Sequence, residues 1–188
     1  YNLQGIQTAN VQDFLNLMEN AGEVLDRKLD RLNNIYPEIR NLNIPSKISD
    51  NLTVSTMHGC PPDEIEKIGK YFMEQRKYHT TIKLNPTMLG PDRLREILHK
   101  QLKFESIVVP DEAFEHDLKY DDALTLIKNL TQIANDNQVQ FSLKLTNTLE
   151  VQNVKNSFPS NATMAYLSGR ALHPISINVA AKLQKDFD

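Results

Sequence analysis

The chain contains one stretch that fixes its local architecture closely. A β-branched run, Leu52-Thr53-Val54-Ser55-Thr56, is followed by Met57-His58-Gly59-Cys60-Pro61-Pro62 and then by Asp63-Glu64-Ile65-Glu66. The run reads as a buried strand. The residue before each proline avoids the right-handed helical region, so Cys60-Pro61 stays extended and outside any helix. Apolar residues at Ile65, Ile68, Tyr71 and Phe72 then recur at helical spacing. Strand, polar loop and helix together make a βα unit, the device by which α/β folds present side chains at the carboxyl ends of strands.

Three further strands are expected on the same grounds: Thr80 to Leu84 closed by Asn85-Pro86-Thr87, Ser106 to Val109 closed by Pro110, and Gln140 to Leu145 closed by Thr146-Asn147-Thr148. Helices are expected from Pro91-Asp92, through Ala123-Leu126-Ile127-Leu130-Ile133, and through Ile175-Ile177-Val179-Leu183. Upstream, Asn10 is positioned to cap a helix carrying Val11, Phe14, Leu15 and Met18. Ala21-Gly22 interrupts that helix, and residues 34–51 read as an irregular connection in which a short helix can hide. Alternating strands and helices imply a parallel sheet with right-handed crossovers. The expected fold is α/β: a partial (β/α) TIM barrel with about four parallel strands, each followed by a helix. An N-terminal helical segment and insertion over 1–51 precede the βα units of 52–188.

Composition narrows the function. With 21 Lys and Arg against 24 Asp and Glu, the net charge is −3, and no basic block points to nucleic acid or a membrane surface. A single cysteine excludes an internal disulfide and any cysteine-cluster site in this chain, and suits a reducing, cytoplasmic setting. No apolar run reaches membrane-spanning length. The opening Tyr1-Asn2-Leu3-Gln4-Gly5 reads as mid-loop, so the chain is expected to be an internal section of a longer polypeptide that self-associates through its open strand edges.

The polar clusters all follow strands, which places them on one rim. Cys60 can serve as acid, base or nucleophile, with the following helix N-terminus as a source of positive potential. The same thiol also fits a small buried hydrophobe. His58 can shuttle a proton or hydrogen-bond a substrate, alone or as a dyad with Cys60, or merely satisfy a carbonyl in a tight loop. No histidine pair has metal-ligand spacing, so no protein-ligated metal is expected. Lys83 and Lys144 interrupt apolar strands, where an ammonium is costly unless it meets an anion or reaches the rim. Asn2, Asn85 and Asn147 can recognise donor–acceptor edges or can simply be turn residues. Ser168-Gly169-Arg170 can place backbone N–H groups near a phosphate.

Four ordered segments carry a resemblance: Ser55-Thr56-Met57-His58-Gly59-Cys60-Pro61-Pro62, Ile82-Lys83-Leu84-Asn85-Pro86-Thr87, Lys144-Leu145-Thr146-Asn147-Thr148 and Ser168-Gly169-Arg170-Ala171-Leu172. In this order they resemble an internal section of the selenate reductase-type, glutamate-synthase-like flavin and iron–sulfur oxidoreductases, over the whole chain. More distantly the section is similar to the FMN barrel of dihydropyrimidine and class 1 dihydroorotate dehydrogenases. That likeness implies Cys60 as the acid/base, Lys83 against the FMN N1–O2 edge, and a hydrogen bond from Asn147, beside Thr146, to substrate. It also aligns Tyr1-Asn2 and Ser168-Gly169 with cofactor contacts. Met57 and Pro62 depart from the family pattern, His173 replaces its arginine, and an extra strand–helix unit lies between Lys83 and Asn147.

The resemblance implies FMN in this module, and FAD, 4Fe-4S clusters and NADPH in flanking domains. It further implies a small-molecule substrate and a molybdenum-enzyme partner. Two readings follow: an oxidoreductase module, with Lys83, Cys60 and His58 at its centre, or a docking module of the same large protein that has lost FMN chemistry.

Overall fold

The computed structural model describes residues 2–154, 158–159 and 161–187. A short helix α1 (Leu3–Ile6) is capped by Asn2, whose side-chain oxygen accepts from the Gly5 N–H at 2.9 Å. Helices α2 (Ala9–Glu19) and α3 (Gly22–Asn33) follow, broken at Asn20-Ala21. Thr8, not Asn10, stands at the N-cap of α2. The connection over 34–51 does hide a short 3₁₀ turn, Pro37–Asn41.

The sheet at the centre has three parallel strands in the order β1-β2-β3. These are β1 (Asn51–Val54), β2 (His79–Leu84) and β3 (Phe141–Leu145). Between β1 and β2 runs α4 (Pro62–Lys70), with Pro62 in its first turn, continuing as one wide turn over Tyr71–Gln75. Proline suits that position because the first N–H of a helix is unpaired anyway. Between β2 and β3 lie α5 (Pro91–Arg95), extended by a similar wide turn over Glu96–Gln101, then α6 (Asp111–His116) and α7 (Tyr120–Asp136).

Alternation along β2 separates two faces. Thr80, Ile82 and Leu84 are buried, whereas Thr81 and Lys83 face the other way. The buried side meets α4 and α7 through Ile68, Leu126 and Leu130. Each fully buried Leu or Ile contributes roughly 1.5–3 kcal/mol, so this face dominates the stability of the sheet. The opposite face is polar, and Thr81 and Ser142 bond through their hydroxyls at 2.7 Å across β2 and β3. In a barrel it is this second face that looks inward.

Two features depart from the expected four strands, each followed by a helix. Residues 106–109 form no strand. The Ile107 carbonyl meets the His99 ring at 2.8 Å and the Val109 carbonyl accepts from Arg95 at 2.6 Å, so side chains take the places of ladder partners. The fourth expected strand is therefore the third of the sheet. It is followed by an antiparallel pair, β4 (Leu149–Gln152) with β5 (Met164–Leu167), in a region where no strand was expected. A 3₁₀ turn, Gly169–Leu172, then leads into α8 (His173–Phe187), which packs on the Pro86–Leu89 turn and β3. Among the described residues, no helix is long and apolar enough to cross a membrane.

Helix α4 packs tightly against α7 at Gly69, where an added Cβ would lie 3.0 Å and 3.1 Å from the two Leu130 methyls. Gly69→Val is expected to lower unfolding free energy by about 1–3 kcal/mol through overpacking. Urea denaturation checks this, and an unchanged midpoint would contradict the packing described.

Candidate functional site

Because β1, β2 and β3 are parallel, their carboxyl ends form one rim. His58 and Cys60 follow β1, Lys83 and Asn85 close β2, and Lys144, Thr146 and Asn147 close β3. A direct bond joins two of these loops. The Asn147 backbone N–H donates to the Leu84 carbonyl at 2.7 Å, and its side-chain amide reaches the Thr56 carbonyl at 3.4 Å.

His58 is the best-defined polar group of the rim. Its Nδ1 lies 2.9 Å and 3.2 Å from the two Asp117 carboxylate oxygens. Asp117, between α6 and α7, has a side chain only 2% exposed. Its second oxygen also accepts from the Thr87 hydroxyl at 2.8 Å. With the carboxylate on Nδ1, the tautomer is set: Nδ1 carries hydrogen and Nε2 is the atom left to act. That Nε2 is buried and has no hydrogen-bond partner among the described residues. The Tyr166 ring of β5 stacks on the imidazole at 5.5 Å between centroids. The Asp117 carboxylate raises the His58 imidazolium above its ordinary range, partial burial opposes it, and the Glu150 charge adds to the rise.

Lys83 and Lys144 are register partners on β2 and β3, so they stand side by side on the polar face. Among the described residues neither has an ion-pair partner. Like charges directly across a sheet repel. An anion seated between them would remove that penalty.

Cys60 is half-buried against the core, its sulfur 3.9 Å from the Pro61 carbonyl. Burial pushes the thiol up and the Glu64 carboxylate adds to this, while Thr56 works the other way. The direction is opposite to the lowering expected from the α4 N-terminus, first through burial and then through Glu64 and Asp63 in that first turn. A Cys60–His58 dyad is not formed: Nδ1 is held by Asp117, and Nε2 has no partner among the described residues.

Several of the remaining candidates have structural partners. The Asn147 side-chain oxygen accepts from the Thr148 N–H at 3.0 Å, and Thr146 shares a hydrogen bond with Ser176 of α8 at 3.0 Å. Asn2 caps α1, and Leu3 donates to Glu64 at 2.7 Å, which brings that cap beside the Cys60 loop. Asn85 is buried at the start of the Pro86–Leu89 turn. Ser168 precedes Gly169, which takes a positive φ of 70° that suits glycine. Tyr1, paired with Asn2 in the resemblance, lies outside the described residues. No cluster of three potential metal ligands occurs among the described residues.

Asp117, Thr87 and Tyr166 were not singled out from the sequence. Asp117 sits among Asp111, Glu112 and Glu115, and nothing local distinguishes the one carboxylate that is buried. Its partner lies 59 residues away.

A parallel α/β sheet with its polar groups gathered at the carboxyl ends defines a module of the (β/α)-barrel class. The chain belongs to the family described as "Oxidoreductase YgfK, N-terminal TIM-barrel domain", which matches residues 1–188. It is 39% identical over 207 residues to "Putative oxidoreductase YgfK" of Escherichia coli (strain K12), and equally to that of Escherichia coli O157:H7. All of this chain is covered, but it spans only 20% of the length of those relatives. No solved structure is a significant match.

His58 gains affinity for its proton on folding, so its stabilising contribution is complete below the unfolded pKa of about 6.5. It is lost as pH rises through the higher folded value. The stability difference between the wild type and His58→Gln is therefore expected to be largest near pH 5.5–6 and to shrink towards pH 8. Denaturation across that range tests the sign, and a difference growing with pH would contradict the pairing.

Proposed function

We propose that this chain is the FMN-binding barrel section of a flavin-dependent, NADPH-linked iron–sulfur oxidoreductase acting on a small molecule in the cytoplasm. The observation that carries the reading is the unpaired Lys83–Lys144 pair on the inward face, level with the rim. A bound flavin supplies two-electron chemistry and becomes anionic along its N1–O2 edge when reduced. The two ammonium groups fit that edge, and the family match supports redox chemistry over simple binding. Cys60 and His58 are the proton-bearing groups of the adjoining β1 loop. FAD, 4Fe-4S clusters and the NADPH site belong to the remainder of the polypeptide, since relatives are about five times longer than this chain.

The test is flavin released from the full-length protein. Stoichiometric FMN besides FAD is the expected result, and FAD alone would overturn the reading. A charge-assisted contact is worth about 1.5–3 kcal/mol, so Lys83→Met and Lys144→Met are each expected to weaken FMN retention by roughly 10- to 100-fold.

A second reading, a docking module without FMN chemistry, is favoured by the arm between α3 and β1. Ile35 is 82% exposed there, and Tyr36, Leu42 and Ile48 are also exposed. A groove of about 350 Å³ lined by Ile6, Val11, Leu52, Val54, Ile68 and Phe72 runs beside β1. Absence of FMN, together with loss of the full-length fold on Ile35→Ser/Leu42→Ser substitution, is the outcome this reading expects.

A further inference from the structure

The rim holds two groups that could move a proton, and the geometry separates them. We propose that His58 is the residue that delivers the proton to the bound substrate, through Nε2–H, with Asp117 and Thr87 as positioning residues. The proposal rests on the flavin-module reading above and deepens it.

Three observations carry it. Asp117 is buried and committed, with one oxygen nearest His58 Nδ1 and the other on the Thr87 hydroxyl. This fixes ring orientation and tautomer from two loops other than the one that carries His58. Second, Nε2 is buried without a partner among the described residues, and an orphaned buried polar atom is costly unless something meets it. Third, Cys60 has no comparable support: it packs on the core, with negative charge from Glu64 beside it. The groups acting on His58 are Asp117 from the α6–α7 connection, Glu150 of β4 and Tyr166 of β5, while His116 lies beside the neighbouring Gly59. The carboxylates of Asp117 and Glu150 stabilise the imidazolium, so the fold favours the proton-carrying form of the ring.

The same field selects the substrate class. Glu150 disfavours a second anion at Nε2, whereas a neutral acceptor is compatible with it. The exposed Tyr166 ring gives a flat, apolar neighbour. A small planar molecule with a carbonyl oxygen or imine nitrogen fits both. A reduced flavin, when bound, would supply hydride to the substrate carbon; the π electrons would move onto the oxygen or nitrogen, which would take the proton as the His58 Nε2–H bond breaks. Neutral imidazole remains, with Nδ1–H still on Asp117, and solvent restores the proton.

The experiment uses full-length protein, reduced and mixed anaerobically with p-benzoquinone, a planar carbonyl acceptor that takes protons, or with ferricyanide, which takes none. The readout is the ratio of the two rates against pH. Hydrogen exchange at the His58 ring C2–H, followed by mass spectrometry, gives that residue's titration independently of turnover. In His58→Gln the ratio is expected to fall at least about tenfold, towards the lower bound usual for general acid catalysis. In Asp117→Asn, both the midpoint of the rate ratio and the C2–H exchange midpoint are expected to move to lower pH together. Thr87→Val is expected to shift them the same way by less. A ratio within twofold of wild type in His58→Gln, or unmoved midpoints in Asp117→Asn, overturns the proposal. If wild-type protein releases no FMN, the flavin reading fails by that measurement. The proposal falls with it, because the step then lacks its reductant, and a shifted exchange midpoint in Asp117→Asn would show only that the two side chains are paired.

Discussion

The pairing of β2 with both of its neighbours is the constraint from which the rest follows. Val54 lies opposite Ile82, which lies opposite Leu143, and Leu84 lies opposite Leu145. A slip of one residue would turn Ile82 and Leu84 away from α4 and α7 and bring Lys83 into the apolar layer. Burial of several large side chains on one face therefore holds the register. The register in turn sets Lys83 beside Lys144 and puts all three loops on one rim. Chemistry at the rim is thus a by-product of packing on the opposite face.

The loops at that rim are held by few but directed interactions. Asn147 ties the β3 end to β2 and to the β1 loop, and Thr146 ties it to α8. Asp117 ties the β1 loop to the α6–α7 connection and, through Thr87, to the turn after β2. Each tie consumes side-chain polarity. Asn147 spends its carbonyl on the Thr148 N–H and its amide on Thr56, which leaves it little capacity to read a substrate. His58 differs because only one ring nitrogen is spent. A group that is anchored at one end and vacant at the other is where function can attach without loss of the scaffold.

Periodicity made the three sheet strands and the helical faces of α4, α7 and α8 readable, because burial on one side repeats at fixed intervals. Residues 106–109 misled for an equally physical reason. Ile107-Val108-Val109 before Pro110 has strand composition, but its carbonyls are met by His99 and Arg95, and a single backbone bond from Gln152 to Val108 links it to β4. The hairpin carried a signal that went unread: Leu149 and Val151 are buried while Glu150 and Gln152 are not fully so. Its partner strand, Met164–Leu167, is mostly half-exposed and lacks such alternation. The candidates His58, Lys83 and Lys144 were legible as residues out of place. Asp117 was not, since a buried carboxylate among exposed ones is defined only by what the fold brings to it.

The lysine pair shows how an open face and a closed one differ in energy. Adjacent strands lie about 4.8 Å apart. Two ammonium groups at roughly 5 Å repel by about 0.8 kcal/mol in water, and by about 3 kcal/mol at an effective dielectric constant near 20. With the polar face of β2 and β3 wet, the flexible stems can also swing apart, so the pair costs little. Closure of further strands over that face would remove both the solvent and the freedom to diverge. The repulsion would then rival the contribution of a buried leucine unless negative charge came in with the closing surface. Closing a barrel over an inward-facing lysine pair therefore favours an anionic group between the two ammonium groups.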